Sequence, residues 1–473
     1  MHPESQVSAL KTESTSVFPA LRQGSFVDLW VACFVPVYLL LCGKEGFFAI
    51  SGFKTALFYG FSAVLAGWYL VKLGLKLRRA RTQNQISLLA VLRSCRKPSP
   101  ARIAACCYLA FTLLSAAASP YGKEAWYSSV CHEHALTQAC YIVVFCGVSR
   151  WARPRKPHLY VLLAAVLAYC AVIVLQQLGK NPMGLYPDGM DYYSIQIRPD
   201  YLFLGTTGNG DLVSALLSLM AALCLCTALC GKGTHPILRL AALLPAGLCF
   251  YELVRIDVLC GVVGTALGLL LSLFVLLRVG RTAKTAGLLA AAAAGGGGLW
   301  YLYGHPTGIG FFREIHSILH GHISDSFGSG RIYIWRQMLR RIPSRLWLGV
   351  GPDAVRRSGL SPFRRYNAQG EVVAGATITD AHCLPLQILY AQGIFALLSF
   401  LAVVCLVLYP WFRRKNRTPA MEILGAGLVC FLFTMLFCFS SVIIMPFFWV
   451  ALGLLAGEAE RIREKPASVK TVL

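Results

Sequence analysis

Charge is scarce in this chain: 14% of its 473 residues are Asp, Glu, Lys or Arg, and acidic residues are the scarcer kind, 21 against 44 basic. Alongside 56% hydrophobic residues and a mean hydropathy of +0.60, that scarcity excludes an ordinary soluble protein, whose apolar surface would have no aqueous partner. Short alternating apolar segments are lacking too. The apolar runs are helix-length, and in lipid every backbone amide must be satisfied within its own segment, so an all-α transmembrane bundle follows. No paired Cys-x-x-Cys arrangement points to zinc and nothing demands a disulfide. Most of the 18 cysteines, Cys106, Cys107, Cys224, Cys226, Cys260, Cys405 and Cys430 among them, lie inside apolar runs, where a thiol behaves as a small hydrophobe.

Other absences narrow the chemistry. No Gly-Lys-Ser/Thr follows the AAAAGGGG patch at Ala291 to Gly298, so no nucleotide loop can be claimed; its small residues are expected to permit close helix packing. No His-Glu-x-x-His pattern accompanies His316, His320 and His322, and Cys131-His132-Glu133-His134 holds neighbours that do not converge on one ion, so neither a metal nor a cofactor is expected. No internal repeat is visible. The polar tail before the first apolar run lacks a signal peptide's short apolar core and small-residue cleavage site, so that run is read as a retained helix.

About twelve spans are present: Phe26 to Cys42, Thr55 to Leu75, Ala101 to Ser119, Trp126 to Val148, Leu159 to Leu178, Asp211 to Cys230, Ile237 to Tyr251, Ile256 to Leu277, Ala286 to Tyr303, Leu384 to Phe412, Glu422 to Cys438 and Val442 to Glu458. Alternate loops are rich in Lys and Arg, from Lys72 to Lys97, Arg150 to Lys156, Lys232 to Arg239, Arg278 to Lys284 and Arg413 to Arg417. The positive-inside rule puts these and both termini in the cytoplasm. That pattern accounts for most of the net charge of +23 without nucleic acid. The loops with Asp188, Asp191 and Asp200, or Glu124 and Glu133, fall outside. The division expected is a polar cytoplasmic tail at 1–25, spans at 26–303, a large extracytoplasmic loop with amphipathic helices at 304–383, spans at 384–458, and a basic cytoplasmic tail at 459–473.

Ten arginines from Arg313 to Arg365 fall in the outward loop, where topology does not explain them. A helix over Arg331 to Leu346 would put Ile332, Trp335, Met338, Leu339, Ile342 and Leu346 on one face and direct Arg331 with them, where a permanent charge is costly without an anionic partner. Arg336, Arg340, Arg341 and Arg345 flank that face and suit headgroups or solvent. Glu252, Arg255 and Asp257 interrupt an apolar run, either as a locally paired turn or with Arg255 at the outer mouth beside Arg331, where two guanidinium forks would suit a pyrophosphate. His382, beside Asp380 at the outer end of the tenth span, is either an interfacial anchor or a group able to take a proton near neutral pH.

GSGRIYIW from Gly328, LGVGPDA from Leu348 and DAHCLPLQILYAQGIFAL from Asp380 together resemble the signature region of the bacterial O-antigen ligase family, whose superfamily also holds O-antigen polymerase-like proteins. Gly205-Thr206-Thr207-Gly208-Asn209-Gly210-Asp211 looks like that family's GT-x-x-N-x-N, with Asp211 replacing the second Asn. Arg255 stands at its Ser-Arg-Gly, with both neighbours changed, and MPFFWVALGLLAG resembles its last helix. The likeness spans Gly205 to Gly457. It implies a metal-independent glycosyltransferase of the bacterial cytoplasmic membrane, passing a glycan from undecaprenyl pyrophosphate to an acceptor hydroxyl on the outer face. Its partners would be that lipid-linked donor, a glycan or glycolipid acceptor and membrane lipids. By the same likeness Arg331 and Arg255 would stabilise the departing pyrophosphate, His382 would orient or deprotonate the acceptor hydroxyl, and Asn209, Trp335, Arg336 and Asp380 would bind substrate. A repeat-unit polymerase is the alternative enzyme, and a lipid-linked glycan transporter or flippase the alternative of another class.

Overall fold

The computed structural model describes residues 26–43, 46–82, 98–128, 130–185, 205–231, 233–256, 258–277, 280–307, 310–366, 372–413 and 417–464. Residues 1–25 and 465–473, Asp188, Asp191, Asp200 and Asp257, and the loop basics Arg93, Arg96, Lys97, Lys232, Arg278, Arg414 and Lys415 lie outside the described residues. About 76% of the structure is helical. The bundle runs α1 (Phe26–Leu40), α2 (Ile50–Thr82), α3 (Pro100–Ala118), α4 (Ala135–Trp151), α5 (Lys156–Gln177), α6 (Gly210–Cys230), α7 (Leu243–Arg255, after a turn of helix at Pro236–Ala241), α8 (Leu259–Leu276) and α9 (Arg281–Gly304). There follow α10 (Gly310–Leu319), α11 (Phe327–Arg345), β1 (Phe363–Tyr366), β2 (Val372–Ala376), α12 (Leu384–Gln392), α13 (Ile394–Arg413), α14 (Pro419–Thr434) and α15 (Met445–Glu464).

Among the described residues, seven helical segments are long and apolar enough to cross a membrane: Ile50–Leu75, α3, α5, α6, Pro236–Arg255, α8 and α13. Helix starts follow local chemistry. Ser99 and Thr418 each accept a backbone N–H two residues into the helix, from Arg102 and Met421, with proline at the first helical position, where its missing N–H costs nothing. The core lies around α6, 89% buried along its span and packed by α14, α7 and α8. α8 approaches α14 so closely that a Cβ on Gly264 or Gly268 would fall 2.4 or 2.5 Å from Thr434 or Cys430.

One end of the bundle is tied by charge: Arg155 to Asp28 at 3.4 Å, Arg102 to Glu460 at 2.9 Å, and Arg461 to the Ala152 carbonyl at 2.9 Å. The start of α6, the loop before α12 and the whole of α11 lie at the other.

Several expectations are corrected. The tenth span is two helices, since Gly393 (φ +87°, ψ 177°) breaks Leu384 to Phe412 between α12 and α13. The fourth begins at Ala135 and not Trp126, because a turn of helix at Lys123–Trp126 and a loop precede it, and the last continues to Glu464. The AAAAGGGG patch is not a packing face: α9 is exposed along this stretch, Gly295 to Gly298 have open space where a Cβ would be, and α10 is its packing neighbour. In the segment expected to be helical and loop-like, β1 and β2 pair as an antiparallel hairpin, Phe363 opposite Ala376, with an irregularity after Arg365. On α11 the buried stripe is Ile334, Met338 and Ile342, whereas Leu339 is 57% exposed. Met338 and Ile342 belong to the expected face, and Trp335 and Leu346 pack beside them, so the face departs from expectation at Ile334 and Leu339; a kink at Gly328 to Gly330 precedes it.

Candidate functional site

That kink places Arg331. Gly328, Ser329 and Gly330 adopt φ of +60°, +60° and +89°, and the Phe363 ring sits so close to Gly330 that a Cβ there would meet it at 3.1 Å. Arg331 then opens the regular helix with its guanidinium folded back: Nη1 donates to the Gly328 carbonyl at 2.8 Å and Nη2 to Asp211 Oδ2 at 3.1 Å. Nε is buried and has no partner. The turn itself is held from α10, Glu314 accepting the Gly328 N–H at 3.0 Å.

Asp211 is the second residue of α6. Asn209 caps that helix by accepting Leu212 N–H at 3.2 Å, so the side chain expected to bind substrate has a local task at its oxygen. On the far side of Asp211 stands His382, its Nε2 3.8 Å from the same Oδ2 that Arg331 holds. An arginine from α11 and a histidine from the loop before α12 therefore converge on one carboxylate oxygen.

His382 is fixed by its own loop. Its Nδ1 lies 2.6 Å from Asp380 Oδ1, which also accepts the His382 backbone N–H at 2.8 Å, while Thr379 donates to Asp380 Oδ2 at 3.0 Å. The peptide before it is clamped on both edges: Ala381 N–H donates to Gln387 at 2.9 Å, and its carbonyl accepts Trp335 Nε1–H at 2.8 Å. Trp335 thus joins α11 to the histidine loop.

Burial opposes a charge on His382, but Asp380, helped by Asp211, outweighs it and the pull of Arg331, so the imidazole titrates above its ordinary 6.5. Burial likewise pushes Asp380 up, and the His382 contacts outweigh it, leaving the carboxyl below its ordinary 3.8. The linkage follows. The raised histidine contributes stability fully present below pH 6.5 and lost as pH rises through its folded value; the depressed carboxylate contributes stability present above 3.8 and lost as pH falls through its own. The unfolding midpoint in detergent, measured for wild type and His382→Gln, is expected to differ most between those two values. A difference that grew above pH 6.5 would contradict the pairing.

The two halves of the site are locked together by backbone. After α11 the chain runs past the end of α12, with Val350 N–H on Tyr390 O at 3.1 Å, Gly351 N–H on Ala391 O at 2.8 Å and Ile394 N–H on Leu346 O at 2.8 Å. Ser115 and Ser119 of the α3 end donate to Leu348 O (2.5 Å) and Val350 O (2.7 Å). Asp353, buried with φ +57°, is wrapped by the loop before α4, both carboxylate oxygens lying 3.2 Å from the Cys131 N–H. Burial outweighs that loop's amides and the Ser128 hydroxyl and pushes its carboxyl up to about 6.

The remaining expected residues fall elsewhere. Arg255 ends α7 at the same end of the bundle and is exposed; the turn after it packs on the start of α6, where a Cβ on Gly210 would meet Val258 at 3.2 Å. Arg336 pairs with Asp325 at 2.5 Å, both more than 40% exposed, so the pair contributes little stability. Arg341 donates to the carbonyls of Ser358 and Gly359, a structural task. His316 and His320 bond backbone carbonyls, and among the described residues no group of three or more His, Cys, Asp or Glu is arranged to hold a metal ion. An open cleft of about 920 Å³ adjoins the kinked turn, lined by Glu314, Asp325, Tyr333, Phe363 and Arg364 among others.

Sequence reasoning missed Asp211 and Gln387 as site residues. Asp211 carried a usable signal: it is the one acidic residue of an otherwise uncharged apolar helix, and such a residue in a membrane segment requires a partner. No protein-family model matches the chain, and no curated protein matches it.

Proposed function

We propose that this chain is a metal-independent membrane glycosyltransferase that moves a glycan from undecaprenyl pyrophosphate to an acceptor hydroxyl on the outer face of a bacterial cytoplasmic membrane, in the manner of O-antigen ligases. The observation that carries the reading is the convergence of Arg331 and His382 on a single anionic oxygen, with Arg331 Nε buried and unpartnered beside it. An arginine fixed in this way, with one N–H still unpaired, holds a permanent positive charge in place for a phosphoryl oxygen, the interaction that stabilises a leaving group whose charge grows in the transition state. His382 orients or deprotonates the acceptor hydroxyl. Arg255, at the same end of the bundle, adds positive potential to the donor side. The neighbouring cleft suits an acceptor glycan, because Tyr333 and Phe363 offer ring faces and Glu314 and Asp325 offer acceptors for sugar hydroxyls.

The topology belonging to this reading has twelve spans, both termini in the cytoplasm and the 304–383 segment outside. Its support is that the charge-tied end, with Arg102, Arg155 and Arg461, lies opposite Asp211 and His382. The test uses purified protein, a synthetic undecaprenyl-pyrophosphate oligosaccharide and a panel of acceptors, with products read by mass. One-step transfer, unaffected by chelator and lost in Arg331→Ala, is the expected result. A ladder of repeat units still on undecaprenyl pyrophosphate would make the protein a polymerase. Passage of intact donor across vesicles without transfer would make it a transporter.

A further inference from the structure

Both ring nitrogens of His382 face carboxylates: Nδ1 lies 2.6 Å from Asp380 Oδ1 and Nε2 lies 3.8 Å from Asp211 Oδ2. A carboxylate beside each ring nitrogen favours the protonated imidazole, which has no lone pair to accept a proton. Asp211 is differently placed. Its Oδ2 is occupied by Arg331, but at Oδ1 stands a thiol, Cys260 Sγ at 4.0 Å, and the side chain is 19% exposed.

We propose that Asp211, not His382, is the proton acceptor of glycan transfer, and that His382 acts as a cation that orients the acceptor and the Asp211 carboxylate. This rests on the glycan-transfer reading above. In the step, the acceptor oxygen forms a bond to the anomeric carbon. The bond from that carbon to the pyrophosphate oxygen breaks with its electron pair leaving on undecaprenyl pyrophosphate, and the acceptor proton passes to Asp211 Oδ1. Charge balances in place. Before the step Asp211 and Asp380 offset Arg331 and His382; afterwards Asp211 is neutral and the site carries one net positive charge, just as the leaving group has gained a negative one.

The two assignments differ in the sign of a pH profile. With His382 as base, turnover rises with pH as the imidazole loses its proton. With Asp211 as base and His382 needed as a cation, turnover falls as pH rises past 6.5 through the raised histidine pKa. The charged and titratable groups facing Asp211 are Arg331 from α11, His382 with Asp380 behind it, Cys260 from α8, and Cys438, whose thiol donates to the Asp211 carbonyl at 3.5 Å. Glu252 and Arg255 of α7 lie at the same end.

The experiment is the kcat profile of the purified full chain from pH 6 to 9 in the transfer assay, for wild type, Cys260→Ser and Asp211→Asn, with inhibition by undecaprenyl pyrophosphate measured alongside. The expected results are a falling limb in wild type that persists in Cys260→Ser, and a kcat lowered about 10²- to 10⁴-fold in Asp211→Asn. Inhibition by the lipid pyrophosphate should be equal or tighter in Asp211→Asn, because a negative charge has been removed from its site. Formate is expected to restore part of the rate to Asp211→Ala. A rate that rises with pH in wild type, a limb that vanishes in Cys260→Ser, or near-normal turnover in Asp211→Asn would overturn the assignment. The wild-type limb decides the matter even should the Asp211 variants fail to fold. If wild type itself transfers no glycan, the reading fails and this assignment with it, an outcome distinct from an active wild type with an active Asp211→Asn.

Discussion

Arg331→Lys is expected to lower glycan transfer, under the proposed function, by about 10²-fold or more, although the charge is kept. The guanidinium makes two bonds, to Gly328 O and Asp211 Oδ2, and its buried Nε has no partner. A lysine ammonium is a single point on a flexible stem: it can follow Asp211 or the phosphoryl oxygen, but it cannot span both while tying down the turn. The loss should fall on kcat more than on donor KM, because the missing donor matters most when the leaving group carries its full charge. Arg331→Ala should be worse, since it also leaves Asp211 without its ion-pair partner. Wild-type kcat in Arg331→Lys would remove the clamp from the mechanism.

The second large effect is structural. Gly393→Ala is expected to destabilise the fold by about 3 kcal/mol or more and to abolish transfer with it. Two penalties coincide. At φ +87° and ψ 177° the backbone occupies a region nearly confined to glycine, and a Cβ would lie 2.2 Å from the Trp347 carbonyl oxygen. That atom belongs to the strand of chain carrying Gly349, whose own Cβ would fall 2.4 Å from the Ala391 carbonyl carbon. The two segments cross at backbone distance, and neither can give way without breaking the Ile394 to Leu346 hydrogen bond. Gly296→Ala is the control, since nothing lies within 4 Å of the added carbon and alanine favours a helix by about 0.5–1 kcal/mol. Thermal unfolding in detergent should show a large fall for Gly393→Ala and none for Gly296→Ala.

Much of the helical layout was legible because hydropathy reports directly on which segments lipid and protein interior will accept. The regular helix from Arg331 was also legible, through apolar periodicity, whereas Arg331 and His382 were named together only by the resemblance; the structure brings both to Asp211. What was hidden is pairing across sequence distance. Arg331 and Asp211 are 120 residues apart, and nothing local tells an aspartate at a helix start whether it meets solvent or a guanidinium. Hydropathy likewise counts apolar atoms without saying what they touch, so α9 read as a closely packed span although its glycines face open space. The break at Gly393 was hidden for the opposite reason: the residues on both sides are apolar, and the stereochemistry that splits them comes from a segment some 45 positions earlier, at Trp347. On α11 most of the expected face holds, with Ile334 buried in place of Leu339, because periodicity groups residues by side without saying which edge of the face is covered.

His382 occupies a backbone conformation, φ +46°, that disfavours any residue with a side chain by about 1–2 kcal/mol. Glycine would fit there without that cost, and asparagine with less of it. The Asp380 carboxylate accepting the His382 amide, and the two bonds that clamp the Ala381 peptide, hold the ring in place against this preference. Selection for thermal robustness alone would therefore discard this imidazole. A library screened by heat should drift toward glycine at 382, whereas one screened by product formation should not, so position 382 is where durability and turnover pull the sequence in opposite directions.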